Sequence, residues 1–248
     1  MSAVISGIGW VTAGGIGRGR SGHPFVSTGG PLPKLTRKAA IEGPCDRFGR
    51  MDEYSKLGLT AISHALRDAG LDRWEQKRMI GIVASTTHGS LRTDVDYFDT
   101  VIPHGGGFAS PHLFAYTLPN SFLGEAAITF GLSGVSFIVS ESRPWGLASL
   151  QLALSTVAQG EHEAMLAGVC DLGGQPPFTA RGACLPGAAF FLLEQGSGRD
   201  TTPYGSVVLD EEGTVFLNGA EKVNVIELIQ GCLARDENQV DLSQLVQT

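Results

Sequence analysis

Apolar residues recur along the chain with distinct spacings, and each spacing predicts a different element. Tyr54, Leu57, Ala61, Ile62, Ala65, Leu66 and Ala69 fall three or four residues apart, the period of a helix with one buried face. Asp52 stands where an N-cap accepts a backbone N–H, and Gly70 stands where the helix should stop. Short, almost unbroken apolar runs at 2–12, 79–86 (MIGIVAST), 163–169 (EAMLAGV) and 187–194 (GAAFFLLE) predict buried strands. GSVVLDEEGTVFL reads as a hairpin turning at Glu212-Gly213. Helices are predicted for LRTDVDYFDTV, for Asn120 to Phe130 and for 221–234, whereas 20–48 has no period and reads as a long irregular connection. SFIVSESRPWGLASLQLAL, residues 136–154, predicts a strand running through a tight turn into a helix. Pro144 suits its first helical position and Gly160 its C-terminal stop. Strands alternating with helices predict a layered α/β domain around a mostly parallel sheet.

Composition narrows the class. With 248 residues, 42% hydrophobic and 17% charged, the chain can bury a sizeable core. Residues 1–50 carry seven Lys and Arg against two acids, while the remainder carries eleven against 23. This asymmetry suits either a solvated basic loop or contact with an acidic partner, and the acidic whole argues against nucleic acid. Cys45, Cys170, Cys184 and Cys232 have no CxxC spacing, so neither a disulfide framework nor zinc is expected, and a reducing cytoplasm is the expected location. The opening MSAVISGIGWV lacks the basic and apolar regions of a signal peptide, and no run of about 18 apolar residues predicts a membrane span.

Candidate chemistry is sparse. GRGRSG at 17–22 matches GxGxxG, but His23-Pro24 follows where a helix N-terminus would have to hold a pyrophosphate, so a plain loop is the preferred reading. His23, His64, His88, His104, His112 and His162 show no metal spacing. His64 lies on the helix beginning at 53 and reads as packing. His88, in STTHGS after a strand, is the best placed for a cleft, although a structural role is preferred there too. Cys170 and Cys184 sit in or beside apolar runs, where a thiol is usually a small buried hydrophobe. At the turn after Ser140, Arg143 should lie near the helix N-cap, where the helix dipole disfavours a cation and calls for a partner such as Glu141 or an anionic ligand. Arginine is neither nucleophile nor base at neutral pH. Ser142 is surrounded by no GxSxG pattern, and a turn or capping role is preferred for it.

VISGIGWVTAGG, RFGRMDEYSKLGLTAISHALRDAGL, IGIVASTTHGSL, LPNSFLGEAAITFGLSGVSFIVSES and MLAGVCDL resemble, in this order, the N-terminal half of β-ketoacyl-acyl carrier protein synthases, over roughly residues 3–215. The resemblance implies an α/β, thiolase-like fold, a single layered α-β-α half spanning 1–218, with a short helical tail at 219–248. In that family the segment after the strand reads approximately Thr-Ala-Cys-x-Ser-Gly. Laid between Ser140 and Gly146 without gaps, Glu141, Ser142 and Arg143 stand for Thr, Ala and the nucleophilic Cys, and Trp145 stands for Ser. No segment like the histidine-bearing motifs of the family's C-terminal half is present, so no catalytic residue carries over. The resemblance also implies a dimer interface along Phe137, Ile138, Val139, Ser140 and Glu141, and a loop at 119–123 from which Phe122 helps set the length of a partner's acyl pocket.

Three functions follow from this reading. The first is a non-catalytic, chain-length-factor-like subunit that pairs with a full-length ketosynthase and contacts an acyl carrier protein in fatty-acid, polyketide or aryl-polyene synthesis. It would have no cofactor beyond contact with a phosphopantetheine-linked chain, and Glu141, Arg143, Trp145 and Phe122 would be its binding residues. The second is an acyl-thioester hydrolase, transferase or decarboxylase using Ser142. The third is a homodimeric scaffold or ligand-binding protein on the same fold. A half-domain leaves one sheet face to be covered by residues 221–248 or by another chain, so an oligomer is expected.

Overall fold

The computed structural model describes residues 1–160, 162–173, 185–196 and 202–239, the last five of these by their backbone alone. In chain order, β1 (Ser2–Thr12) and β2 (Gly15–Arg18) form a hairpin, followed by the single turn α1 (Arg37–Ala40) and the long helix α2 (Glu53–Asp68). Next come β3 (Ile80–Thr86), α3 (Leu91–Val101), α4 (Pro111–Phe114), α5 (Ser121–Phe130), β4 (Ser136–Ser140) and α6 (Ala148–Ala158). The chain continues through β5 (Ala164–Asp171), β6 (Gly187–Glu194), β7 (Gly205–Leu209), β8 (Val215–Leu217), β9 (Ala220–Lys222) and α7 (Val225–Gln239).

One sheet runs in the order β4-β3-β5-β6-β1-β7-β8-β9, with β2 beside the C-terminal part of β1. Its layers follow from alternation along the strands. Ala188, Phe190 and Leu192 of β6 point to one face with Ile80, Ile82 and Ala84 of β3, and α2 and α5 cover that face. Ala189, Phe191 and Leu193 point to the other, which α6 and α7 cover. Val225, Leu228, Ile229 and Cys232 of α7 are fully buried there, so this helix does in cis what the sequence left open between the tail and a second chain.

Two expectations are corrected. The sheet is mixed: only β4, β3 and β5 are mutually parallel, and every other neighbouring pair is antiparallel. A parallel neighbour needs a long crossover, usually helical. The stretches joining β1 to β2 and β7 to β9 are too short for one, and 172–186, rich in Gly and Pro, carries no helical period. The helix expected over 221–234 begins at Val225, because Ala220–Lys222 pairs with β8 as a strand.

The long helix matches its pattern closely. Asp52 Oδ1 accepts the Ser55 N–H at 2.8 Å, and Gly70 turns out of the helix with φ 71°. Gly7 and Gly9 let α2 lie directly on β1, since a Cβ at either would collide with the Ala65 backbone.

Candidate functional site

The turn after β4 is built by three local choices. The Glu141 N–H donates to the Thr86 carbonyl at 2.9 Å, which carries the β3–β4 ladder one residue past the strand. Trp145 then adopts a left-handed conformation with φ 57°, uncommon for a bulky residue. Burial offsets that cost: Trp145 is 5% exposed, its Nε1–H donates to the Leu185 carbonyl at 3.0 Å, and its ring lies where Gly187 has no side chain. A left-handed residue cannot continue into a helix, so α6 starts only at Ala148, with Leu147 as its cap. Pro144 therefore lies in the turn and not at the first helical position, and Arg143 lies four residues before the cap and not beside it.

Glu141, not the cation, faces the start of α6. Gly146 makes room for its carboxylate, because any Cβ there would overlap Oε1. Burial pushes the Glu141 carboxyl up from the usual carboxylate range, while the Ser85 hydroxyl, the Ala148 N–H and the Arg143 guanidinium pull the other way. Oε2 is buried without a hydrogen-bond partner. A carboxylate at a helix N-terminus satisfies the dipole that an arginine would oppose. Because the folded chain holds this proton to higher pH than the unfolded chain, the stability it contributes is lost as pH rises through the interval between the ordinary and the raised value. Glu141→Gln is therefore expected to raise the melting temperature relative to the unsubstituted protein near pH 7 but not near pH 4, about the ordinary carboxylate value. Equal differences in thermal melts at both pH values would contradict this.

Ser142 and Arg143 are exposed. Among the described residues no histidine hydrogen-bonds the Ser142 hydroxyl, and Arg143 forms no ion pair within 4 Å. Beside them lies a cavity of about 270 Å3, walled on one side by Glu141, Arg143 and Gln151 and on the other by the β7–β8 turn and β9, where Glu221 and Lys222 face it. That second wall is tied down. The Gln151 Nε2 donates to the Gly213 carbonyl at 2.7 Å and the Val225 N–H donates to the Trp145 carbonyl at 2.9 Å. The C-terminal segment thus closes over the turn from within the same chain.

A second polar knot sits at the ends of β3 and β5. Asp171, 3% exposed, accepts the Thr86 hydroxyl at 2.9 Å and the backbone N–H groups of Thr87 and His88, each at 2.9 Å. Burial nonetheless pushes its carboxyl up. His88 Nδ1 lies 3.8 Å from Asp171 Oδ1 and is buried without a hydrogen-bond partner. The knot holds the STTHGS loop. Sequence reasoning passed over Asp171, although an aspartate ending the apolar run AMLAGVC was the signal for it.

The remaining predicted residues are dispersed. Phe122 is fully buried in its own protomer, edge-on to Tyr54 at 5.4 Å and Phe190 at 6.2 Å, with Gly58 leaving space for its ring. Its side chain does not reach outward, as lining a partner's pocket would require. β4 is the edge of the sheet, with Phe137 37% exposed and Ile138 and Val139 half-buried. Cys170 is buried under Tyr54, its thiol 3.8 Å from the Tyr54 carbonyl, and His64 Nε2 lies 3.1 Å from the Ala39 carbonyl. Cys184 lies outside the described residues. No helix among the described residues is long and apolar enough to cross a membrane.

Comparison with known proteins places this architecture. Residues 38–182 match the family "Beta-ketoacyl synthase, N-terminal domain". A Streptomyces halstedii protein named as a polyketide β-ketoacyl synthase is 30% identical over 195 residues, which is 68% of this chain and 46% of that protein. The chain spans about half the length of the curated relatives it matches. Among solved structures, the ishigamide ketosynthase/chain length factor superposes with a TM-score of 0.63 at 24% identity, covering 84% of this chain and 66% of that one. A type II polyketide ketosynthase in complex with its acyl-carrier protein superposes with a TM-score of 0.65 at 18% identity, covering 95% of this chain and 83% of that one. At these identities the superpositions establish a shared fold, a thiolase-like ketosynthase half.

Proposed function

Because the chain belongs to the β-ketoacyl synthase family through its N-terminal domain, we propose that it is a non-catalytic, chain-length-factor-like subunit that pairs with an active ketosynthase in polyketide or fatty-acid-type chain synthesis. The observation that carries this reading is the turn after β4. In the gapless register between Ser140 and Gly146 that the family resemblance implies, Arg143 stands for the nucleophilic cysteine, and it is exposed and incapable of attacking a thioester. Among the described residues no histidine hydrogen-bonds the neighbouring Ser142, and a serine hydroxyl is a weak nucleophile without an adjacent base. The helix N-terminus, which would stabilise a thiolate, faces the Glu141 carboxylate instead. The hairpin and α7 lie over the mouth of the turn. Structures named as ketosynthase/chain-length-factor pairs share its fold, which supports pairing as the role such a subunit retains.

Native mass measured alone, and then mixed with the ketosynthase encoded nearest to it, tests the pairing; a stable one-to-one heterodimer is expected. Intact-mass spectrometry after incubation with acyl thioesters tests the chemistry. No acyl adduct is expected on the protein, because an arginine cannot attack a thioester and, among the described residues, no histidine hydrogen-bonds the Ser142 hydroxyl. An adduct on Ser142 would instead support a hydrolase or transferase. A homodimer indifferent to the ketosynthase would support a scaffold.

A further inference from the structure

A cavity of about 680 Å3 opens at the carboxyl edge of the sheet, on the face covered by α2. It lies between the 30–35 loop, the first turns of α2 and α3, and the chain just after β5. It shares no lining residue with the smaller cavity, and it abuts α2, on the opposite face of the sheet from α6. Its size falls within the range of about 300–1,000 Å3 typical of small-molecule sites, and ligands of open α/β sheets gather at the carboxyl ends of the strands, as here at β5.

The lining is divided by polarity. Leu32, Leu35 and Leu172 line it and pack at their backs against the core. Among the described residues lining it, Lys34, Lys56 and Arg92 add three cations against the single carboxylate of Glu53, in a chain whose net charge is -7. Arg92 has only an exposed Asp96 at 3.8 Å, and Lys34 and Lys56 form no ion pair within 4 Å among the described residues. Lys34 and Arg92 are exposed and Lys56 is half-buried, so water and salt screen them in part, and an anion seated on the leucines would gain the attraction of all three.

The geometry points to a binding site for an amphipathic anion, a carboxylate or phosphate carried on a short acyl or aryl body, with the head among Lys34, Lys56 and Arg92 and the body on the leucines. The site belongs to this protomer alone and does not depend on pairing with a ketosynthase, so it is tested on the isolated protein.

Calorimetric titration with sodium octanoate, octyl phosphate and octan-1-ol, all below their micellar range, separates the alternatives. One-to-one binding is expected for at least one of the two anions, with octan-1-ol at least about tenfold weaker. Kd should rise with added salt, as it does for contacts between partly exposed charges. The double variant Lys56→Ala/Arg92→Ala should weaken the anion at least about tenfold, Leu172→Asp should abolish binding, and Lys77→Ala, an exposed cation outside the lining, should leave it unchanged. Circular dichroism and melting temperature of each variant report that it folds. Preference for octanoate or for octyl phosphate identifies the head group. No saturable binding, equal affinity for octan-1-ol, or indifference to the Lys56 and Arg92 substitutions would overturn the site.

Discussion

Replacing Asp68 with alanine is expected to destabilise the fold by about 3–5 kcal/mol, the range for removing one partner of a buried charge pair. The Asp68 side chain is fully buried at the end of α2 and has more donors than any other carboxylate described. Its Oδ2 accepts the Ile8 N–H at 2.9 Å, the Tyr204 hydroxyl at 2.7 Å and Arg20 Nη1 at 3.2 Å, while Oδ1 accepts the Arg20 N–H at 2.8 Å. Arg20 also donates to the Ser6 carbonyl at 3.0 Å and stacks 4.5 Å over the Tyr204 ring. One carboxylate therefore ties β1, the turn after β2, α2 and the approach to β7 together. Alanine would strand several donors at once, each costing about 1–3 kcal/mol when buried unsatisfied. Against a typical total of about 5–15 kcal/mol, this is a large fraction. Urea unfolding should show a lower midpoint with an unchanged slope. Asp68→Asn, which keeps an acceptor but turns an NH2 toward a donor, should fall between. A loss below about 1 kcal/mol would mean that water replaces the carboxylate, and the knot would then not be what holds these elements together.

The same knot explains GRGRSG, which reads as a loop but forms the end of β2 and a single 3-10 turn at Gly19–Ser21. Gly17 lies where a Cβ would come within 2.5 Å of the Trp10 ring, and Gly19 lies where one would overlap the Tyr204 hydroxyl, so these glycines serve packing. What local pattern encodes was legible: the period and caps of α2, the almost unbroken apolar strand β6, and the turn at Gly213. What depends on partners distant in the chain was not. Sheet order and direction are set by which connections can cross over, and periodicity within a strand carries no record of that. The start of α6 is set by Trp145, whose left-handed backbone is held by the Leu185 carbonyl and by the absence of a side chain at Gly187, both about forty residues away. Propensity alone favours Pro144 at the first helical position, and a tertiary contact overrides it. The arginine was conspicuous in the sequence because of the dipole it would oppose, and the structure answers by placing Glu141 there.

Phe137→Asp is expected to weaken association with the proposed ketosynthase partner by about 100-fold or more, equivalent to about 2.7 kcal/mol and within the range of an interface hot spot. Among the described residues β4 pairs only with β3, and its other edge is open. Such an edge is a template for another strand, and proteins that avoid pairing place lysine, proline or inward charges along it. SFIVS has none of these. Phe137 at 37% exposure, Val135 at 47% and, on the adjoining α5, Ile128 at 63% add apolar surface around it. The hydrogen-bond direction supplies an independent test. The Glu141 N–H points to β3, so by the two-residue repeat those of Val139 and Phe137 do as well, and those of Ile138 and Ser140 face the open edge. Ser140→Pro removes an outward donor from an exposed position without breaking the β3 ladder. It should impair pairing by strand addition, yet leave the protomer's melting temperature close to its original value. If Phe137→Asp abolishes association while Ser140→Pro does not, the interface uses the face of the strand and not its edge. If both variants still form the heterodimer with unchanged affinity, β4 is not the pairing surface, and the pairing proposed for this chain would have to be sought on the exposed apolar side chains of α3 and α4, among them Phe98 and Phe114.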